Sequence, residues 1–354
     1  MRSIFPMKTF HIFKKDSVQS LLRVTWFDDW HSDLDDALNE LPEQRDCPSQ
    51  LFRMLHENPT GERKRTALIT EHGTPVALLS LRDRGQSWVP VTHFLLPGDV
   101  FPTKPGYLIR SLETLGLNIW VAWWRVEGKP PHSRFTRSLE STPTFKMSLS
   151  EDFEAYWQSK KHLKTVRTMR KRCRDFDIAI NAPGATDWTI RNYEKKWGLA
   201  NYDEQTCISD RLLVAKYLEQ KDRIVTFIIK DSQKPICGST LFEHNNELVG
   251  VYSYRESEYD WHGVGHYVLD HIFHWAAEQG YKKFDMGGDY PHHKKRWAPQ
   301  DGQKFTFNIC PGYKYYAKQI LDKMARVRTN IVYLSGLQKL WTRPVKEDAT
   351  KPVK

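Results

Sequence analysis

Cysteine is scarce in this sequence, and its five copies are widely spaced. They are Cys47, Cys173, Cys207, Cys237 and Cys310, and no CxxC pair occurs. An odd number without close pairs argues against a disulfide framework and against a zinc ribbon. We therefore expect a protein of a reducing compartment and predict a cytoplasmic location.

Long apolar runs are also missing. No stretch approaches the ~18 uncharged apolar residues that a membrane-spanning helix needs. The start, MRSIFPMKTFHIFKKDS, lacks the apolar run and small-residue cleavage site of a signal peptide. We predict no transmembrane segment. Hydrophobic residues still make up 40% of the 354 residues, which excludes a disordered chain and allows two domains.

Acidic residues are outnumbered by basic ones. There are 53 Lys and Arg against 43 Asp and Glu, which gives a net charge of +10. This balance favours anionic partners, such as phosphate-bearing cofactors, RNA or an acidic membrane surface. The net charge alone does not indicate which of these partners the protein binds.

The first half of the chain shows a short series of predicted elements. Residues 67–70 and 76–81 are apolar runs around a Gly-Thr-Pro turn, which predicts a hairpin. A helix is predicted over 107–115, ending at Gly116. The apolar, aromatic segment 118–126 predicts a buried strand.

The second half repeats this order after about 160 residues. Two glycines, Gly263 and Gly265, separate predicted strands from a predicted helix that ends at Gly280. The predicted elements are strands over 223–230, 236–244 and 248–254, a helix over 267–279 and a strand over 282–286. We interpret the repeated order as two copies of one α/β unit; two unrelated α/β domains are the alternative.

These patterns predict three regions: an N-terminal domain over 1–147, a C-terminal domain over 148–335, and a polar tail over 336–354. A single helix over about 150–175 would open the second domain. Glu151 and Asp152 would lie in its first turn, where the helix dipole favours acids.

A first candidate site is the glycine turn between a predicted strand and a predicted helix. Its residues Gly263, Val264, Gly265 and His266 could place backbone N–H groups against a pyrophosphate. The alternative interpretation of these glycines is a tight turn that binds no ligand. The turn is neither a P-loop nor a convincing Rossmann fingerprint, because the residues that define those motifs are missing.

A second candidate site follows the last predicted strand. Asp285 ends that strand and two glycines follow it, which leaves room for a substrate at the kind of strand end where α/β active sites gather. Lys294 and Arg296 could hold a phosphate or carboxylate. The alternative is a strand end with a solvated turn.

A third candidate is the basic helix. Its cations step by four and three residues and form one stripe, with no acid among them; the stripe is Lys160, Lys164, Arg167, Lys171 and Arg174. A solvated face is the simpler interpretation, but unpartnered like charges repel one another, which favours an anionic ligand, substrate or RNA.

Histidines are concentrated near the glycine turn. His262 and His266 have the i, i+4 spacing of a metal pair, but HExxH is absent and the first of the pair lies in the turn. We predict no metal site.

The second half resembles the GNAT acyltransferase fold and, within it, the CelD-type acetyltransferase domain, a relative of the FemABX transferases. The resemblance covers about 148–316. It rests on the basic helix with Arg167, Arg170 and Lys171, on the glycine turn with the aromatic and Ala-rich helix after it, and on Phe284-Asp285 followed by Lys-Lys-Arg-Trp. The first half resembles the same unit more faintly.

The resemblance implies an α/β (α+β) fold of tandem GNAT-like units, each a mixed, largely antiparallel sheet flanked by helices. It implies acetyl-CoA or another acyl-CoA as donor, with its pyrophosphate on the backbone of residues 263–266 and its thioester between splayed central strands. Asp285 or Tyr254 would be the base and His293 the acid.

The same resemblance implies anion-binding roles for the basic residues, in contact with either substrate; these residues are Arg167, Arg170, Lys171, Lys294 and Arg296. The chain departs from the family at Asp260, where GNAT cofactor loops usually have Arg or Gln, and an acid beside a pyrophosphate is unfavourable. The first half has no GxG, so we expect only the second half to bind a cofactor.

Three functions remain open on the sequence. The first is an acyl-CoA-dependent transferase acting on an amine or hydroxyl of a small-molecule or envelope/exopolysaccharide precursor. The second is a FemABX-like transferase with an aminoacyl-tRNA donor, in which the basic residues would bind RNA. The third is a non-catalytic tandem GNAT binding protein, which Asp260 favours.

Overall fold

A computed structural model describes residues 22–44, 47–85, 87–92, 95–96, 100–124, 136–149, 153–158, 163–197, 204–244, 246–286, 294–295 and 297–309. The polar tail lies outside these residues, as do His293 and Arg296. The segment after Lys314, where the sequence predicts a further helix to about Leu334, lies outside them too.

The described residues of the first half form five strands and three helices. The predicted hairpin is confirmed, with Leu68 opposite Leu78, and the predicted helix and buried strand also form. The strands are β1 (Leu22–Phe27), β2 (Lys64–Glu71), β3 (Thr74–Asp83), β4 (Trp88–Pro90) and β5 (Ile119–Trp124), and the helices are α1 (Ser32–Glu40), α2 (Ser49–Glu57) and α3 (Leu108–Thr114).

The second half repeats this series element by element. Its strands are β7 (Asp177–Ile180), β8 (Ile224–Asp231), β9 (Lys234–His244), β10 (Glu247–Arg255) and β11 (Lys283–Asp285), and its helices are α6 (Ala185–Trp197), α7 (Glu204–Glu219) and α8 (Val264–Glu278), with a 3-10 helix over Ser257–His262 before α8. In both halves four strands pair antiparallel and the fourth pairs parallel with the fifth. The tandem α/β arrangement expected from the sequence is confirmed.

Two long strands join the halves, and sequence reasoning missed both. β6 (Thr136–Ser148) follows β5 along the chain but pairs with β11 of the second half. β12 (Gln300–Ile309) follows β11 but pairs with β5 of the first half. β6 and β12 also pair with each other. One sheet of twelve strands results, in the order β1-β2-β3-β4-β5-β12-β6-β11-β10-β9-β8-β7.

The helices divide between the two faces of this sheet. α1, α2, α6 and α7 pack on one face around a core shared by both halves, which includes Phe52 and Leu78 from the first and Val214 and Tyr252 from the second. On the other face α3 covers the first half and α8 covers the second. No helix in the described part of the chain has the length and apolar content to cross a membrane.

The region between the halves also contains a buried ionic cluster. Asp210 of α7, which is 0% exposed, lies 2.7 Å from the guanidinium of Arg82 on β3 and 4.0 Å from Lys64 on β2. The side-chain amide of Asn58 donates to the same carboxylate at 2.6 Å. Burial lowers the pKa of Lys64 to about 8, although Asp210 opposes this shift.

The single helix predicted over 150–175 is instead two helices, α4 (Phe153–Gln158) and α5 (Leu163–Arg172). Trp157 of α4 and Arg170 of α5 both donate to the carboxylate of Asp270 on α8. In one continuous helix these two residues would stand about 20 Å apart along the axis. Convergence on one carboxylate is therefore incompatible with the predicted helix.

We expect Asp210→Asn to lower the free energy of unfolding by about 3 kcal/mol, because it leaves two buried cations without their shared carboxylate. Urea denaturation measures this. Asp187→Asn is the matched control, since its pair with Arg191 is exposed and exposed pairs contribute little. Equal stability of the two variants would contradict a structural role for the cluster.

Candidate functional site

β10 and β11 separate shortly after they meet. Their parallel pairing covers three residue pairs and ends with Val249 opposite Asp285. β11 stays with β6 as far as Met286, whose N–H donates to a β6 carbonyl at 2.9 Å, whereas β10 continues along β9 to Arg255. Within the described residues, the edge of β10 after Val249 therefore has no strand beside it on the β11 side.

An irregularity in β10 lies at this point of separation. The register with β9 shifts between Gly250 and Tyr252, so one extra residue is accommodated as a β-bulge. A bulge bends its strand and changes the direction of its backbone groups. The gap between β10 and β11 can therefore present unpaired backbone N–H groups to a ligand.

The predicted glycine turn is the first turn of α8. α8 begins at Val264, three residues earlier than predicted, and Gly263 joins it to the preceding 3-10 helix with a φ of +79°, which is the left-handed region that favours glycine. α8 is 15 residues long. Its first N–H groups and its dipole favour an anion.

Part of this turn is covered by α5. A Cβ added to Gly263 would meet Cγ of Met169 at 2.9 Å, and Val264 is 0% exposed. Gly265 and His266 remain half-buried and are the accessible part of the predicted cradle. A bulky substitution at Gly263 would disturb the α5 contact, so it is a poor probe of ligand binding.

Asp260 does not face the start of α8 as an uncompensated charge. Its carboxylate accepts a hydrogen bond from Nε of Arg255 at 2.5 Å. The Arg255 side chain also lies against Gly265, where an added Cβ would be 3.3 Å from its Cδ. The residues at the accessible turn therefore fit a phosphate: a helix start and one arginine beside it.

Sequence reasoning missed Arg255. The available signal was a basic residue at the end of the strand before the glycine turn. The position of this residue became clear only from the structure. The 3-10 helix reverses the chain direction, and the end of β10 and the start of α8 therefore lie side by side.

The predicted glycine turn and the predicted basic segment after β11 lie close together in the structure. The ring of His266 lies 5.2 Å from that of Trp297, which stacks on Trp157 at 5.4 Å. Trp297 is buried, and its backbone N–H donates to the carbonyl of Lys294. The segment that carries Lys294 is thus held near the first turn of α8, while Arg296 and His293 lie outside the described residues.

Asp285 and Tyr254, two of the predicted catalytic residues, lie further from each other. Asp285 is 0% exposed, opposite Val249. Tyr254 stands five residues further along β10, a separation of roughly 15 Å. Burial raises the pKa of Tyr254, and a hydrogen bond to Glu256 adds to the shift. The raised pKa keeps this phenol protonated at neutral pH, so Tyr254 can donate a proton there but does not act as a phenolate base.

The three basic residues predicted on α5 have different environments. Arg170 makes a bidentate pair with Asp270, at 2.7 Å and 2.9 Å, and Asp270 is only 2% exposed. Arg167 and Lys171 are exposed. Arg170 therefore fixes α5 on α8, whereas Arg167 and Lys171 face solvent.

Thiol and metal chemistry find little support in the described part of the chain. Burial raises the pKa of Cys173 to about 11 and that of Cys237 to about 12, so both thiols are protonated at neutral pH and are poor nucleophiles. No group of three or more His, Cys, Asp or Glu side chains is arranged there to hold a metal ion.

Part of the second half matches a known protein family. Residues 160–295 match the family described as Acetyltransferase (GNAT) domain. The match contains α5, the splayed strands and the first turn of α8, and it confirms the GNAT resemblance for this half. No curated protein matches the chain significantly.

Three similar solved structures are distant from this chain in sequence. L-PGS from Bacillus licheniformis is 12% identical, with a TM-score of 0.48 over 83% of this chain and 96% of that chain. FemX is 12% identical, with a TM-score of 0.43 over 83% and 99%. A tandem GNAT protein from the clavulanic acid biosynthesis pathway is 9% identical, with a TM-score of 0.47 over 81% and 98%.

We expect Arg170→Gln to lower the free energy of unfolding by about 1.5–3 kcal/mol, because hydrogen bonds to a buried carboxylate are lost. Arg167→Gln, one turn away and exposed, is the control and should leave stability unchanged. Thermal or urea denaturation of both variants tests this. Equal effects would show that the Asp270 pair does not hold α5.

Proposed function

We propose that this protein is an acyl-CoA-dependent acyltransferase with acetyl-CoA as its donor. The observation that carries the proposal is the gap between β10 and β11, which lies next to the first turn of α8 and to Arg255. The GNAT family match of the same segment supports it. The first half has Pro105-Gly106-Tyr107 before α3 and no second glycine there, so we assign donor binding to the second half alone.

The donor would be held by groups of known position. The N–H of Gly265 belongs to the accessible first turn, whereas the N–H of His266 donates to the carbonyl of Gly263 at 2.9 Å. Arg255 supplies a guanidinium beside Gly265. A phosphate arriving there would compete with Asp260 for Arg255. Lys294 and Arg296 remain our candidates for a second anionic contact. Acyl-CoA supplies the acyl group as a thioester, which an amine or hydroxyl can attack.

Catalysis would depend mainly on alignment in the gap. Backbone N–H groups of β10 after the bulge can hydrogen-bond to a carbonyl oxygen placed between the strands, which stabilises charge that develops on it. Asp285 ends β11 at the gap and is our candidate to accept the proton of the attacking group. Tyr254, with its raised pKa, is a candidate proton donor, as is His293.

The acceptor would be an amine or hydroxyl of a small molecule or of an envelope or exopolysaccharide precursor. We place the reaction in the cytoplasm, in line with the free, buried thiols of Cys47, Cys173 and Cys237. No described side chain selects a sugar over an amino acid.

Calorimetric titration with acetyl-CoA tests the donor assignment. Arg255→Gln should weaken binding by about tenfold or more, because a hydrogen bond to a charged group is lost. Asp260→Asn should bind at least as tightly as the wild type, because it releases Arg255. Arg191→Gln is the control, since Arg191 also pairs with an exposed carboxylate but lies on α6, across the sheet.

Three outcomes would contradict the proposal. If Arg255→Gln and Arg191→Gln bind alike, the phosphate site is wrongly placed. If the wild type does not bind acetyl-CoA but binds aminoacyl-tRNA with a steep loss of affinity in salt, the donor is an aminoacyl-tRNA. Binding of neither would favour a non-catalytic role.

A further inference from the structure

α5 presents a continuous cationic face to solvent. Val166, Met169 and Cys173 are buried against α8 and its neighbours, which turns the opposite side of the helix outward. That side carries the exposed residues Lys164, Arg167 and Lys171, and the exposed Arg174 follows in the turn after the helix. We call these four residues the α5 face. Lys164 and Lys171 are about 10 Å apart along the helix.

The charge of the α5 face is not neutralised by nearby acids. Within the described residues, Lys164, Arg167 and Lys171 make no ion pair, and Arg174 has only its exposed neighbour Asp175 at 3.4 Å. Acids of the adjoining 3-10 helix and of α4 are already engaged elsewhere. They are Glu258 with Lys234, Asp260 with Arg255, and Glu154 with His274.

An exposed tryptophan adjoins the α5 face. Trp261 is 63% exposed and is one of two large hydrophobic residues, with Ile180, that are exposed in the described part of the chain. Arg172 of α5 donates to its carbonyl at 2.7 Å and lies over its ring, 5.4 Å from the centroid. These contacts fix the indole at the end of the row of cations.

We propose that this surface docks the protein on an anionic lipid bilayer, with Trp261 at the level of the headgroups and the α5 face against the lipid phosphates. Tryptophan with flanking Lys and Arg is the side-chain combination that favours the membrane–water interface. The proposal concerns binding without any acyl donor, so it stands or falls separately from the proposed function.

The contacts of Trp261 favour a bilayer over RNA. A nucleobase binds an aromatic side chain by stacking on its face. Here the guanidinium of Arg172 lies over the ring and His262 contacts it at 3.8 Å between centroids, so a base would have to compete with these groups for the ring. Insertion among headgroups needs only an exposed indole, and Trp261 is 63% exposed.

Docking in this way would place α8 close to the membrane. α5 is fixed on α8 by Arg170 and Asp270 and covers Gly263 through Met169. The first turn of α8 therefore lies directly behind the docking surface. An acceptor carried by a membrane lipid would reach this half of the protein without leaving the bilayer surface.

The test is co-sedimentation of the full-length protein with vesicles of two parts phosphatidylcholine to one part phosphatidylglycerol, with pure phosphatidylcholine as reference. We expect binding to the anionic vesicles only, falling as salt rises. The triple variant Lys164→Gln, Arg167→Gln, Lys171→Gln should bind about 100-fold more weakly, at about fivefold per cation. Trp261→Ala should reduce binding several-fold while keeping every charge.

A matched triple variant controls for net charge. Lys195→Gln, Lys216→Gln, Lys221→Gln removes three exposed lysines around α6 and α7, on the other face of the sheet, and should bind like the wild type. The proposal is overturned if both triple variants lose binding equally, or if the wild type does not sediment with anionic vesicles. It is also overturned if the α5 face binds tRNA and not vesicles, which would assign this surface to RNA.

Discussion

The position of β6 is the constraint on which the candidate site depends. β6 leaves the first half, crosses to the second and pairs with β11 from Lys283 to Asp285. β11 is thereby held away from β10, which follows β9 beyond the bulge. Without this exchange the parallel pair could continue and no gap would form. β12 makes the reciprocal connection to β5, so the same exchange that creates the gap also joins the two halves into one sheet.

Charge compensation decides how the start of α8 can be used. Asp260 beside a helix start would weaken the binding of any phosphate, but in the structure it pairs with Arg255, and a ligand phosphate could take its place. Arg170 has the corresponding role on the other side, since its pair with Asp270 holds α5 over Gly263. Arg170 and Arg255 therefore differ in environment, because the first is bound to a buried acid and the second to an exposed one.

Local patterns in the sequence predicted the repeat, the hairpins and α8, because each depends on residues close together along the chain. β6 and β12 were missed because their pairing depends on partners in the other half. The helix over 150–175 was wrongly predicted as continuous. The spacing of residues along the chain cannot show that Trp157 and Arg170 both bind Asp270. Arg255 was missed for the same reason: its closeness to Gly265 exists only after the 3-10 helix has returned the chain.

The central claim is that a donor binds in the second half, in the gap between β10 and β11 and at the start of α8. Amide hydrogen exchange with and without acetyl-CoA tests it most directly. A donor bound at this site should slow amide hydrogen exchange over residues 250–267. It should leave exchange unchanged over 88–119, which runs from β4 to the start of β5 in the first half. Protection in 88–119, or unchanged exchange in both segments at a saturating donor concentration, would contradict it.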